Sequence, residues 1–386
     1  MCGIAGAVTW REGTRLDRER LCRMATRMAH RGPDGEGFWT DPQGRAALAH
    51  RRLAIIDIEG GRQPMCSDDG RIALVFNGEI YNYRELRRSL LDQGVQFHTV
   101  SDTEVLLRLY ERYGAGAVQY LRGMFAFAVW DATRGELVLA RDRVGKKPMF
   151  YALDDETCYF ASTLEALRET DSRARPVRLA AVDAFLTLGY IPAPQSIWDG
   201  IHKLPAGTLL RIGASGVQSV RYGGLEGEAA PYEGHFDEAV DRLEDLLTTA
   251  VTLRLRSDVP LGLFLSGGID SSLVTAIASR HGAMSTFSIG FGEAGFDESG
   301  YAERIARYLG TRHRTFAGRP DLLDVLPSLV RHVAEPFGES SALAVWMLAR
   351  ETRKHVTVVL TGDGGDEGFG GYNWYRTALR LKRWSA

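Results

Sequence analysis

Lysine is nearly absent from this chain. Five lysines, at 146, 147, 203, 354 and 382, stand among 386 residues, and arginine supplies the remaining positive charge. The formal net charge is -2. That balance lacks the basic excess of a nucleic-acid or membrane-surface binder. Cysteine is also sparse. Cys2, Cys22, Cys66 and Cys158 form no CxxC pair, which argues against a zinc ribbon or a thioredoxin-like motif. Four dispersed thiols in a chain this long fit a reducing compartment better than a disulfide framework. No apolar run is long enough to span a bilayer. The start lacks the basic stretch and apolar run of a secretory signal. The expectation is a cytoplasmic protein with no membrane and no nucleic-acid partner. No GxxxxGK[ST] occurs, so a Walker A loop is excluded, and "GDGGDE" fails as a GxGxxG fingerprint because Glu367 stands where the third glycine belongs.

What is present divides in two. The first half carries short strand candidates: 73–82, 124–131, 136–142 and 157–162. Two helices interrupt them, one capped by Asn82 and ended by Gly94, the other capped by Asp102 and ended by Gly114. This mixture predicts a layered sandwich of sheets and helices. Residues 213–235 are Gly-rich and weakly periodic and read as a loop or linker. After an amphipathic helix at 237–256, strands and helices alternate, which predicts parallel βαβ units in a doubly wound sheet. The domain expectation is 2–212, a linker at 213–235, and 236–386.

Two stretches carry chemistry. The chain opens MCGIAG. Removal of the first methionine leaves Cys2 with a thiol and a free amine on one residue, and the amine can serve as the base that the thiol needs. Alone, Cys2 is equally a chance residue at a frayed end. The second stretch is "LGLFLSGGIDSSLVTAIA". A buried strand runs into Ser266, Gly267 and Gly268, and a helix begins near Ser271. Glycines let the backbone approach a ligand, and the first helical N–H groups favour an anion such as phosphate. Ser266, Ser271 and Ser272 add hydroxyl donors. Asp270 would repel a bare phosphate, so a bridging divalent cation is expected. A later loop, "GDGGDEG" (362–368), places four glycines and three acids after a strand end, where ligands of open α/β sheets bind. Asp366 is the expected partner of Asp270 on Mg²⁺.

SGGIDSS resembles the pyrophosphatase loop of the ATP-pyrophosphatases, and with MCGIAG the chain resembles the glutamine-dependent asparagine synthetase family. "HRGPDG", "HRRLAIID", "FNGEIYNY", "SDTEVLL", "GMFAFAVWD", "RDRVGKKPMFY" and "FASTLEAL" resemble its glutaminase half. "HKLPAGT", "VPLGLFLSGGIDSS", "FSIGF", "EPFGESSA" and "LTGDGGDEGFGGY" resemble its synthetase half. The resemblance implies an N-terminal αββα sandwich of the N-terminal-nucleophile class, followed by a doubly wound parallel α/β domain. It implies that Cys2 attacks glutamine and releases ammonia. Arg52 would take the α-carboxylate, Asn77 and Gly78 would form the oxyanion hole, and Glu79 and Asp102 would hold the ammonium. Phe264, Ile289, Thr361 and Gly362 would surround ATP, Ser266 to Ser272 would cradle its phosphates, and Asp270 and Asp366 would hold Mg²⁺. Ammonia would travel inside the protein to an acyl-adenylate of aspartate or another carboxylate.

Two departures stand out. Well-studied members carry Glu where Asp363 stands, at a position tied to forming the acyl-adenylate. Other branches of the family carry a similar GDGGDE. Members also continue through a long helical remainder, which supplies a lysine for the phosphates and much of the acceptor pocket. The chain here ends at Ala386, as a fragment, as a shortened form, or with a complementing polypeptide. A homodimer is the other assembly expected.

Overall fold

The computed structural model describes all residues except 12, 15, 155, 171–174, 225–231, 293–296, 319–321 and 385–386. The chain forms two compact units. One comprises Met1–Pro231 with Leu326–Ser340, the other Tyr232–Val325 with Ser341–Ala386.

Among the described residues the first unit contains twelve strands. They are β1 (Gly3–Thr9), β2 (Gly35–Thr40), β3 (Ala46–Arg52), β4 (Met65–Cys66), β5 (Ile72–Ile80), β6 (Gly123–Asp131), β7 (Glu136–Arg141), β8 (Phe150–Leu153), β9 (Thr157–Ala161), β10 (Ile201–Lys203), β11 (Thr208–Gly213) and β12 (Gly216–Arg221). Its first helices are α1 (Arg18–Arg27), α2 (Tyr83–Asp92), α3 (Asp102–Tyr113), α4 (Leu164–Arg168) and α5 (Leu179–Leu188). The strands make two six-stranded sheets, ordered β10-β8-β9-β1-β3-β2 and β12-β11-β7-β6-β5-β4.

Side-chain alternation decides the layers. On β5, Ala73 and Val75 face the other sheet and pack with Ile4, Val8 and Leu48. Leu74 and Phe76 point the opposite way, onto Val105 and Leu109 of α3. On β1, Ala5 turns outward to Met24 of α1 and to Leu164 and Leu167 of α4. One strand therefore serves two cores, and the result is the αββα sandwich that the sequence implied. Gly6 has no side chain because its cross-strand neighbour Phe160 on β9 occupies that space: a Cβ there would lie 2.4 Å from the Phe160 ring.

Three local expectations change. Asp102 does not cap its helix. Ser101 does, accepting from Thr103 N at 3.1 Å, and Asp102 is the first helical residue. Asn82 stands at the cap of α2 but spends its side chain on Tyr120 O and Arg122 N. Part of the expected linker, Gly216–Arg221, is an exposed edge strand paired with β11. Its backbone ladder, not apolar patterning, holds it there. Residues 225–231 of that stretch lie outside the described residues.

The second unit contains α6 (Phe236–Arg254), β13 (Leu261–Phe264), α7 (Ile269–Ser279), β14 (Ser285–Gly290), α8 (Ser299–Leu309), β15 (Arg312–Ala317), α9 (Leu322–Val333, which continues into the first unit), α10 (Ser341–Thr352), β16 (Val358–Leu360), α11 (Gly365–Phe369) and α12 (Asn373–Trp384). The sheet order is β15-β14-β13-β16, and every pair is parallel. Leu263 packs with Ile277 of α7 and Val251 of α6 on one face. Phe287 packs with Leu348 of α10 on the other. Helices on both faces of a parallel sheet make a doubly wound domain. The strand β15 was not anticipated. Its sequence RHRTFA is polar and half-exposed, as befits an edge strand whose partner supplies the ladder.

Candidate functional site

Cys2 lies just before β1. The register Gly3 to Arg51 sets it beside the end of β3. Leu53 N donates to Cys2 Sγ at 3.3 Å, and the thiol can donate to Leu53 O at 3.6 Å. Burial pushes the thiol pKa up, while the Leu53 hydrogen bond and the positive charges of the N-terminus and Arg52 oppose that rise. Arg31 Nε donates to the Cys2 carbonyl at 3.0 Å. The nucleophile candidate is thus fixed from both sides.

The edge of β5 explains Asn77 and Gly78. On its other edge β5 pairs with β6 throughout, but the two-residue β4 leaves this edge without a strand partner beyond Leu74. Side chains take over. Gln63 Oε1 accepts from Phe76 N at 2.6 Å, and Asp102 Oδ2 accepts from Ile80 N at 3.0 Å. Successive amides of a strand alternate, so the Gly78 N–H points the same way, between those two. A Cβ at Gly78 would sit 2.3 Å from Met124 O, which explains glycine there. Asn77 is 1% exposed, and among the described residues its Nδ2 has no hydrogen-bond partner. A buried amide donor left unmade costs about 1–3 kcal/mol. Two donors are therefore available, as stabilising a tetrahedral oxyanion requires.

Arg52 does not project freely. Its Nη1 donates to Ile58 O at 2.6 Å, and its Nη2 to Asp57 O at 2.5 Å and Ile56 O at 3.4 Å. Burial lowers its pKa. The loop that holds it is pinned by Asp57, whose φ is 51° and whose carboxylate takes Gly60 N at 2.8 Å and Val100 N at 2.9 Å. Glu79 and Asp102 are buried, and desolvation pushes Asp102 up to about 6. Cys2 lies close enough to Arg52 and Asp102 to feel both charges.

In the second unit the loop after β13 folds on its own hydroxyls. Ser266 Oγ and Ser271 Oγ lie 3.0 Å apart, and Gly268 N donates to Ser266 Oγ at 3.2 Å. Gly267 has φ 87°, and a Cβ there would lie 2.6 Å from Tyr301 Cβ. Helix α7 starts at Ile269, two residues before the expected Ser271, with Gly268 as its cap. Ser272 Oγ is buried, with no hydrogen-bond partner among the described residues. Phe264 and Ile289 lie half-buried on the sheet face packed by Phe287 and Leu348.

The 362–368 loop closes on this one. A Cβ at Gly362 would meet Ser271 N at 2.7 Å, and one at Gly365 would meet the Asp270 carboxylate at 2.4 Å. Asp270 therefore rests in a cradle that only glycine leaves open. The Asp366 carboxylate is folded against Gly371 instead. Asp363 is exposed, with its N–H donating to Thr361 Oγ1 at 3.3 Å. Among the described residues no three His, Cys, Asp or Glu side chains cluster as a preformed metal site. A magnesium ion held by one or two carboxylates plus substrate phosphates needs no such cluster, so the acids present fit.

Known proteins give these two geometries a frame. The family "Glutamine amidotransferase domain" matches residues 1–223, and "Asparagine synthase" matches residues 242–386. A putative glutamine-hydrolyzing asparagine synthetase 2 of Methanocaldococcus jannaschii is 35% identical over 99% of this chain and 77% of that relative. The chain belongs to the glutamine-hydrolysing asparagine synthetase family. Glutamine-hydrolyzing asparagine synthetases 1 and 3 of Bacillus subtilis are each 37% identical, over 99% and 98% of this chain. The chain spans 60% and 64% of their lengths. Within this family frame, sequence reasoning gave no role to Leu53, Arg31, Asp57 or Lys147. The motifs HRGPDG, HRRLAIID and RDRVGKKPMFY contained them, but nothing in a linear motif says which atom faces Cys2.

Proposed function

We propose that the full activity is asparagine synthesis: ATP, L-aspartate, L-glutamine and water give L-asparagine, AMP, diphosphate and L-glutamate. The observation that carries the first half is a thiol held by Leu53 N in the same unit as the unpaired Asn77 amide. Cys2 Sγ attacks the glutamine amide carbon, and Asn77 Nδ2 and Gly78 N–H bind the oxyanion. The thiol proton passes through the Cys2 α-amine to the leaving nitrogen, and ammonia departs. Water then hydrolyses the thioester and returns the thiol. Arg52, with Glu79 and Asp102, orients the two ends of glutamine.

In the second unit Ser266 to Ser272 take the phosphates of ATP, and Phe264, Ile289, Thr361 and Gly362 flank the nucleotide. Asp270 and Asp366 would hold Mg²⁺, whose charge would offset that on the diphosphate. The acceptor carboxylate oxygen attacks the α-phosphorus, diphosphate leaves, and ammonia displaces AMP from the acyl-adenylate. We place the protein in the cytoplasm, supported by four free thiols.

A second reading keeps the chemistry and changes the acceptor. It rests on Asp363, one methylene shorter than the glutamate of well-studied members. One experiment separates them: AMP formation with Mg·ATP and glutamine, with aspartate or other carboxylates as acceptor, beside Cys2→Ala supplied with ammonium. Aspartate-dependent AMP, retained by Cys2→Ala with ammonium alone, supports asparagine synthesis. Glutamate without AMP for any acceptor sinks the synthetase reading for this chain. For Cys2→Ala the glutamine-dependent rate should fall by at least about 10⁴-fold.

A further inference from the structure

The reading of Cys2 as an N-terminal nucleophile leaves one buried charge unexplained. Lys147 is 6% exposed. It lies in the loop that follows β7, wound around the fully buried Asp142. That carboxylate takes the backbone N–H groups of Phe125, Lys146 and Lys147 at 3.1, 2.9 and 3.0 Å. The loop therefore fixes where the lysine points. Its ammonium donates to Met1 Sδ at 3.1 Å. A thioether is a weak acceptor, and a buried ammonium needs a strong one. Arg31 approaches the same side chain, with Nη2 4.0 Å from Met1 Sδ, while its Nε holds the Cys2 carbonyl. The Met1 side chain stands between two cations.

Removal of Met1 takes the thioether away and creates the α-amine of Cys2 on that same side. We propose that Lys147 is a positioning residue for the nucleophile: with Arg31 it confronts the new amine with fixed positive charge and so keeps that amine unprotonated, ready to take the thiol proton. The proposal rests on the N-terminal-nucleophile reading above. Covalent reach puts Lys147 Nζ within about 9 Å of the Cys2 nitrogen, close enough to move its protonation by about one pH unit. The other charges around the pair are Arg52 and Lys146, which act in the same sense, and Glu79, Asp102 and Asp142, which oppose it. Asp142 is spent on backbone N–H groups, and Asp102 binds Ile80 N and titrates near 6. Burial and Arg31 already bring Lys147 itself down to about 8, as expected where positive charge crowds together.

The test uses the mature protein with Cys2 first, confirmed by intact mass, as wild type, Lys147→Met and Lys147→Arg. Two pH profiles are measured: kcat/KM for glutamine hydrolysis, and the rate of Cys2 alkylation by iodoacetamide. Removing a cation raises the amine and thiol pKa values. The acid limbs of both profiles should therefore move up by roughly half to one unit in Lys147→Met. Lys147→Arg should restore them, and KM above the limb should change less than about twofold. An unmoved limb, or a raised KM with the limb in place, overturns the proposal. If the Met variant fails to fold, Lys147→Gln makes the same comparison. A wild type that hydrolyses no glutamine but shows the alkylation shift sinks the glutaminase reading and leaves this one standing.

Discussion

The two halves solve site-building in opposite ways. Around Cys2 the polar groups are buried: Asn77, Glu79 and Asp102 are 1%, 8% and 5% exposed. Around Ser266 the loop is exposed to half-buried, with Ile269 86% exposed and only the Ser272 Oγ atom buried among its hydroxyls. In the proposed first site burial raises the Cys2 and Asp102 pKa values, and the buried Asn77 Nδ2 has no hydrogen-bond partner among the described residues. The proposed second site is shaped by close backbone approach at Gly267, Gly362 and Gly365. A covalent step on a neutral amide needs donors that water has not already satisfied. An anion cradle needs many donors converging on one point, and glycine provides the approach.

The contrast can be broken by substitution. The largest expected effect, after loss of Cys2 itself, is at Asn77. Asn77→Ala removes an oxyanion donor and should lower kcat for glutamine hydrolysis by about 10²–10³-fold. KM should be nearly unchanged, and ammonium-dependent AMP formation should be intact. A loss of ammonium-dependent activity as well would mean that the two sites are not separable in this way.

Gly267→Ala tests the second site. The new Cβ meets Tyr301 and the main chain carries φ 87°, a strain of about 1–3 kcal/mol. Acceptor-dependent diphosphate release should fall at least about tenfold with glutaminase unaffected. Wild-type release from this variant would mean that the loop is not the phosphate cradle.

Asp102 sharpens the comparison through pH. Its folded pKa, about 6, lies above the ordinary carboxylate value because of burial. The folded state therefore binds more protons between about pH 4 and 6, and stability falls as pH rises through that window, by up to about 3 kcal/mol. Asp102→Asn removes this dependence while keeping an acceptor for Ile80 N. Its melting temperature should gain a few degrees on wild type between pH 4 and 7.5. Parallel melting curves for the two proteins would contradict the burial argument.

The smallest effect is expected at Asp363, which is exposed. Asp363→Glu should change aspartate-dependent AMP formation by less than about tenfold. A larger gain with aspartate alone would show that this methylene sets acceptor choice.

Much of this was legible in the chain itself. The short apolar runs that became β5 and β6, and the βαβ rhythm after 236, pointed to the two architectures, because a short apolar run bounded by turn residues suits a strand buried on both faces. The glycines of SGGIDSS predicted a tight turn between a strand and a helix for the same local reason, and the chain turns there with Gly267 at φ 87° and Gly268 at the cap of α7. The edge strands β12 and β15 were not legible. Their order comes from hydrogen bonds with neighbours far along the chain, and their own sequences are polar.

The functional details divide along the same line. The sequence by itself determined which residue types are available: a thiol at position 2, an amide at 77, glycine wherever a backbone must come close. Tertiary structure decided what those residues feel. Only folding puts Leu53 N on the thiol, leaves Asn77 Nδ2 without a partner, carries Asp102 to the edge of β5, and points Lys147 at the N-terminus. Burial and electrostatic neighbourhood are sums over atoms from many segments, and no single segment encodes them.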